Sequence, residues 1–505
     1  MRRTLHPLVV WSLVGAPLAG STAPLLAQAT RSAAASTTIS ASAYAERRER
    51  LARQLAPGAI IIPGAHLVGA HDLPRQNSHF WYLTGVESPY ATLVIAPDLR
   101  PGATPGARRT ALFLPDTFQF AGAQFPMADS GFRRARWNLP RGRLASGPGA
   151  ARTTGIAETY PIAEFAVRVR ELVGSTSTIY LPMGGDSLYA PPGVARIATV
   201  DAQLAANIVR LLPGHRFEDA TPFVRKLRLV KDAYEIAALR DAAAVSAASL
   251  ATLMGAVKPG MNDLEAAGLL EYEWKKRGSP RAAFGPIIAS GPDAMTFFSL
   301  RGERYDAVGR VMQAGDLLFA DYGAAEVRHY GSDLCRTLPV SGRFTAEQRR
   351  LYDIVLEAQD SAIAAIRPGV MMLDVIRAAA RVFRAHDLER YENIDVMGPD
   401  QVWGVMPSPT HYLARRSGIT PYTRFGGGVR DIGHHIGLDA TDDRDWSGPL
   451  EPGMVVTIEP KLYAPATGIA IMIEDMILVT PLGHENLSAA APRRAREVER
   501  AMARR

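Results

Sequence analysis

At 505 residues, 47% hydrophobic and 21% charged, the chain has ordinary globular composition and the length of two or three domains. The net charge of +7 comes almost wholly from arginine, and no basic stripe carries interleaved aromatics, which argues against nucleic acid as a partner. Cys335 is the only cysteine, so no intrachain disulfide can form.

The N-terminus reads as a secretory signal. Arg2 and Arg3 form its charged start, an apolar stretch runs from Leu8 to Leu26, and Ala27-Gln28-Ala29 offers small residues for cleavage. Gly15, Pro17, Gly20 and Pro24 interrupt the stretch, and no second run of about 20 apolar residues follows. The expectation is a signal peptide over 1–29, cleavage near Ala29, and an exported protein, periplasmic or secreted, with no membrane attachment afterwards. Residues 30–43 are small and polar and read as a disordered linker.

From 44 to 224 the pattern alternates. AYAERRERLARQLAPG predicts an amphipathic helix stopped at Pro57-Gly58. AIIIPG, HFWYLTG, ATLVIAPD, TALFLP and TIYLP predict strands, while AEFAVRVRELVG and VDAQLAANIVRLLPG carry helical spacing. Such alternation predicts an α/β domain with a mixed sheet. The segment 225–490 interleaves strands with longer helices and predicts an α+β domain. Asp232 with Glu235 three residues on is an N-terminal cap for a long helix that ends at Pro259-Gly260. Three further helices are predicted in NDLEAAGLLEYEWKKRG, TAEQRRLYDIVLEAQDSAIAAIRPGV and MLDVIRAAARVFRAHDL. Residues 391–430 lack periodicity and read as a lid-like loop. Residues 491–505 read as a basic C-terminal tail, a solvated helix end.

Five possible metal ligands lie in the second half: Asp321 in FADYG, Asp333 in HYGSDLCRT, His434 in IGHHIGL, Glu459 in VVTIEP and Glu474 in IMIEDMILV. Each stands in or beside an apolar strand-like run, and buried carboxylates are costly unless paired or bound to a cation. Singly, each is an ordinary strand-end residue; together, in this order, they form an oxygen-rich set that suits two divalent ions such as manganese, cobalt or zinc. Two ions about 3.5–4 Å apart can activate water for hydrolysis.

The phrases LEPGMVVTIEP, GIAIMIEDMILVTPLGHENLS and SDLCRTLPVSGRFT resemble the creatinase/aminopeptidase P/methionine aminopeptidase superfamily of pita-bread metallohydrolases. RQNSHFWYLTGVESPYATLVIAPD resembles the aminopeptidase P N-terminal domain, so the resemblance spans about residues 45 to 490 and favours aminopeptidase P or prolidase. It implies an α/β N-terminal domain followed by a pita-bread catalytic domain, a peptide substrate cleaved next to proline, two divalent ions with manganese foremost, and a homo-oligomer. It makes Asp321, Asp333, His434, Glu459 and Glu474 the ligands, with Glu474 bridging and Glu459 also taking a proton from the reacting water. Gly437, three residues on, selects His434 over His435, which is read as packed or solvent-facing. Tyr463 matches a tyrosine near the site, with core packing as the alternative.

The pattern is not complete. Phe298, Arg430 and Thr441 stand where the family's peptidases carry histidines, Met472 where an arginine stands, and His79 where an aspartate follows RQNS. His411 in the long loop, or His79, could substitute. The twelve residues from Asp321 to Asp333 are one more than usual; in a strand this would flip a side chain, and a β-bulge in AAEVRHYGS would restore it. Two other readings stay open: a hydrolase of another amide or ester on the same scaffold, and a metal-retaining protein with weak or no peptidase activity.

Overall fold

The alternating segment builds a six-stranded mixed sheet, ordered Glu158–Pro161, Arg108–Leu114, Thr92–Pro97, Ala59–Pro63, Thr178–Leu181 and Arg216–Asp219. Ala59–Pro63 and Thr92–Pro97 pair antiparallel, as do Thr92–Pro97 and Arg108–Leu114; the outer junctions are parallel. This computed structural model describes residues 39–65, 75–115, 117–120, 123–126, 144–184, 198–285, 287–296, 309–386, 432–464 and 467–503. The predicted signal at 1–29 and the 391–430 loop lie outside them.

Both faces of the sheet are covered, with the two-residue period of strands. Ile60, Ile62, Leu93, Ile95 and Leu112 join a cluster that includes Leu51 of the Ala41–Gln54 helix. Ala59, Ile61, Val94, Ala111 and Phe113 face Val169 and Leu172 of Phe165–Val173 and Ile208 of Val200–Leu211. The first helix starts at Ala41, inside the segment read as linker, because Ser40 accepts a hydrogen bond from Ala43 N and caps it.

One predicted strand is a helix. HFWYLTG forms Ser78–Thr84, started by Asn77, whose Oδ1 accepts from His79 N and Phe80 N at 3.0 and 3.1 Å. It is stopped by Gly85 at φ +67°, a conformation in which glycine carries no Cβ penalty. Phe80 through Thr84 are buried without interruption, so no alternation marked the type. The helix is held between the two halves of the molecule. The Tyr82 hydroxyl donates to Leu227 O at 3.0 Å, and Trp81 meets the Tyr330 ring edge-on at 5.9 Å.

In the second half, Leu317–Asp321 lies between Ile287–Ser290 and Cys335–Pro339, antiparallel to both. Val455–Ile458 pairs with Asp475–Thr480, and Lys461–Ala464 with Ile469–Met472. The helices Ala233–Ala256, Asp263–Lys276, Ala346–Ala365 and Met372–Ala385 fall where periodicity placed them. Asp232 closes the expected capping box: its Oδ1 accepts from Glu235 N at 2.9 Å, and Glu235 Oε2 from Asp232 N at 3.0 Å. Ala233–Ala256 has the length and apolarity of a membrane span, but Leu239, Ala243, Leu250 and Leu253 are spent on the shared core.

The C-terminal tail is not simply solvated. Ala495–Met502 is a helix whose Val498 and Met502 are buried in the same cluster as Ala238 and Leu250. Its abundant arginine hid an apolar spacing of three and four residues.

Candidate metal centre

Three of the five expected ligands converge closely. Asp333, His434 and Glu474 are all buried and offer donor atoms within 4.8 Å of one another, the one such group among the described residues. His434 Nε2 is 3.3 Å from Asp333 Oδ2 and 3.8 Å from Glu459 Oε1, which brings the fourth ligand alongside. Asp321, also buried, is the last residue of Leu317–Asp321, directly opposite Cys335, and its charge acts on Glu474.

Asp333 keeps its facing without a β-bulge. After Asp321 the chain leaves the main ladder and forms a separate small hairpin, Glu326–Val327 against Tyr330–Gly331. Its two turn residues, Arg328 and His329, both have positive φ, +52° and +71°, as tight hairpin turns require. The ladder resumes at Cys335, so the additional residue is absorbed outside the pairing and Asp333 is free of strand alternation.

His434 is oriented by its neighbours. Its Nδ1 lies 3.2 Å from the carbonyl of His435, which can only accept, so Nδ1 carries a proton; Nε2 faces Asp333 and Glu459, which raise the ring's pKa against burial, and is the nitrogen left for a metal ion. Its backbone N donates to Thr457 Oγ1 at 3.0 Å, and Thr457 N donates back to His434 O at 2.9 Å. Glu459 N reaches Ile432 O at 2.7 Å, so the histidine segment is laced to the Val455–Ile458 strand and to Glu459 just after it. His435 points elsewhere and stacks on Trp446 at 4.2 Å; burial first, then Lys231, pushes its pKa down to about 3. It is a packed residue.

Several supports have no motif and were missed. Gln359, fully buried on Ala346–Ala365, donates from Nε2 to Ile458 O at 3.1 Å and to Ile473 O at 3.0 Å, the carbonyls just before Glu459 and Glu474. Arg336 donates to the carbonyls of Cys335 and Glu474 at 2.8 and 2.6 Å and pairs with buried Asp475 at 2.7 Å. Lys461 places its Nζ 2.8 Å from Glu459 Oε2, with both side chains largely buried. A lysine inside the apolar run TIEPKLYA was the one legible signal among these three.

The outer positions are less complete. Thr441 is exposed. Met472 is buried in an apolar cluster with Phe319, Cys335 and Ala470, so Cys335 is the small buried hydrophobe its setting suggests. His79 accepts from Arg228 Nη1 at 3.0 Å, and that arginine also binds Asp439 and Asp442. His79 thus serves a charged network joining the N-terminal half to the loop after His435. Phe298, Arg430 and His411 lie outside the described residues. Tyr463 pairs with Ala470 in its strand, and its side chain also lies outside them.

The donor chemistry fits a hard divalent cation. Burial, then Asp333, Glu459 and Asp321, drives Glu474 well above the usual carboxylate range; burial also raises Asp333. Like charges this close in a dry site need a proton or a cation between them. Glu474 Oε2 is buried with no hydrogen-bond partner, a position suited to a metal ion.

Comparison with known proteins agrees with this geometry. Residues 237–481 match metallopeptidase family M24, and residues 44–180 match the aminopeptidase P N-terminal domain. The chain is 28% identical over 481 residues to an Xaa-Pro aminopeptidase of Escherichia coli (strain K12), covering 92% of this chain and 98% of that one. It is 30% identical over 481 residues to Xaa-Pro aminopeptidase 1 of Streptomyces coelicolor, covering 91% and 86%. The solved structure of E. coli aminopeptidase P with the inhibitor Pro-Leu superposes with a TM-score of 0.69 at 27% identity, covering 92% of this chain and 98% of that one.

Proposed function

Because the chain belongs to metallopeptidase family M24 with an aminopeptidase P N-terminal domain, and is a metallo-aminopeptidase, we propose that it releases the N-terminal residue that precedes proline in a peptide. The observation that carries this reading is the convergence of Asp333, His434 and Glu474 within 4.8 Å, with Glu459 beside them. Those four residues and Asp321 would hold divalent metal, two ions if all five donors are used, with manganese the best match to a set of four carboxylates and one imidazole. When bound, such metal supplies Lewis acidity toward water and the scissile carbonyl.

The chain's own residues set up the rest. Burial alone would raise the pKa of Glu459, but Lys461 and then His434 outweigh it and hold the carboxylate ionised. An ionised carboxylate is the state in which a proton acceptor must begin. Lys461 occupies Oε2, so the proton would be taken at Oε1, the oxygen that faces His434. With metal bound, His434 would turn an Nε2 lone pair toward it, since His435 O holds the other proton on Nδ1.

The test is turnover of a panel of Xaa-Pro peptides with added manganese, beside Xaa-Ala controls and a Glu459→Gln variant. Proline-dependent release by the parent, lost in Glu459→Gln, is expected. Release from Xaa-Ala alone would favour another amide substrate on the same scaffold, a reading that exposed Thr441 and apolar Met472 keep in play. Export is part of the proposal, on the strength of Arg2, Arg3 and the Ala27-Gln28-Ala29 site. Intact mass of protein from a secreting host should show a chain starting near Thr30, and retention of Met1–Ala29 would rule it out.

A further inference from the structure

Four arginines are buried among the described residues: Arg47, Arg48, Arg228 and Arg336. Three of them meet carboxylates. Arg47 pairs with Asp232 and Glu235, Arg228 with Asp439 and Asp442, and Arg336 with Asp475. Arg48 is only 5% exposed, yet its acceptor is the neutral carbonyl of Leu83, which its Nη1 reaches at 2.8 Å. A guanidinium carries several further N–H donors, and a buried charge is costly without a counter-ion. Burial pushes the pKa of Arg48 down to about 10, whereas in the other three carboxylates outweigh burial and raise it.

Arg48 lines a cavity of about 870 Å³ between the Ala41–Gln54 helix, the 98–107 connection and the 155–158 turn. The charges around it do not balance: three carboxylates and five guanidinium groups line it. Each carboxylate already has an arginine. Asp98 has Arg100 at 2.6 Å, Glu158 has Arg109 at 2.6 Å, and Glu49 has Arg53 at 3.9 Å. That leaves Arg48 and Arg108. Arg108, the first residue of its strand, donates from Nη2 to Gly58 O at 2.6 Å, while its Nε is buried with no hydrogen-bond partner. Among the described residues that line the cavity none is aromatic, and the apolar ones, such as Ala45, Pro97 and Leu99, are aliphatic.

We propose that this cavity binds a small organic anion, with a carboxylate or phosphate group held by Arg48 and Arg108 and an aliphatic body. Guanidinium groups match both oxyanions in geometry. The volume is that of a small-molecule site and exceeds what a bare oxyanion fills. The residues lining it lie between Ala45 and Glu158, so none of the five proposed metal donors takes part.

The test is calorimetric titration of the full chain with hexyl phosphate, hexanoate and inorganic phosphate at constant ionic strength. Saturable binding of hexyl phosphate or hexanoate is expected, tighter than that of inorganic phosphate, and the tighter of the two identifies the head group. Arg48→Gln and Arg108→Gln should each weaken it by on the order of 10–100-fold, the worth of a charge-assisted hydrogen bond, with metal content as in the parent. Arg108, half-buried at its strand start, serves where Arg48→Gln fails to fold. Absence of saturable binding to the parent would overturn the proposal, whether or not the variants fold. So would undiminished binding in a folded arginine variant, which would place the anion elsewhere, such as the metal centre. Inorganic phosphate binding as tightly as hexyl phosphate would overturn the aliphatic body.

Discussion

The carbonyl oxygen of Thr457 lies 1.8 Å from where a Cβ on Gly433 would stand. The His434 segment can lie flat on the Glu459 strand only because residue 433 has no side chain. Gly433→Ala should push the two apart, at an overpacking cost of about 1–3 kcal/mol. The thermal midpoint should fall and retained metal should drop, since His434 and Glu459 would separate. Gly448→Ala, with nothing within 4 Å of its Cβ, is the control and should leave both unchanged. A Gly433→Ala protein with parental stability and metal content would show the strands tolerate separation.

Gln359 spans the two strand ends that carry glutamate ligands. Gln359→Leu keeps the volume and removes the donor, leaving Ile458 O and Ile473 O without it. An unsatisfied buried carbonyl costs about 1–3 kcal/mol. Urea unfolding should reveal a loss of that order, with metal affinity reduced in parallel. Loss of stability with unchanged metal affinity would confine Gln359 to a packing role.

Arg336 and Asp475 form an ion pair with neither side chain exposed. Breaking a buried pair from one side costs about 3–5 kcal/mol, because the remaining charge stays buried. Arg336→Met should therefore be among the most damaging single changes outside the ligands. Adding Asp475→Asn should recover part of the loss. Equal stability of the single and double variants would argue that Arg336 acts through its carbonyl contacts with Cys335, Glu474, Ala491 and Pro492.

The pH dependence of stability should carry a signature of His79. Burial first, then the adjacent Arg228, lowers its pKa to about 3 in the folded chain. In the unfolded chain histidine titrates near ~6.5. A lowered histidine leaves the folded state less protonated than the unfolded one, so its contribution is intact above pH ~6.5 and erodes as pH falls below that value, by at most about 1.4 kcal/mol per pH unit. His79→Asn retains an acceptor for Arg228 and should flatten the decline between pH ~6.5 and ~5 in urea melts. The decline should not vanish, because His435 is lowered to about 3 as well. An unchanged slope would mean that His79 is already accessible to protons in the folded state.

Much of the architecture was legible because local chemistry and burial agreed. Asp232 and Glu235 signalled the start of Ala233–Ala256, and AIIIPG and ATLVIAPD carried enough β-branched residues to be strands. HFWYLTG failed for a physical reason. Phe80 through Thr84 are all buried between two halves of the molecule, so the segment shows neither period, and Asn77 with Gly85 decided for a helix. The Asp321–Asp333 spacing also misled, since counting residues assumes a continuous ladder and a small hairpin interrupts this one.

The sequence by itself determined the identity and order of the five candidate ligands, the family, and the succession of an α/β and an α+β half. Those depend on residue type and local pattern, which the chain displays directly. Only the tertiary structure decided that Gln359 and Arg336 brace the glutamate strands, that His79 serves Arg228, and that Lys461 sits against Glu459. Except for the last, these contacts join residues more than 90 positions apart. Lys461 is only two positions from Glu459, yet its direction follows from a hairpin with Ile469–Met472 and from burial of the ammonium among acids, neither of which a local pattern encodes.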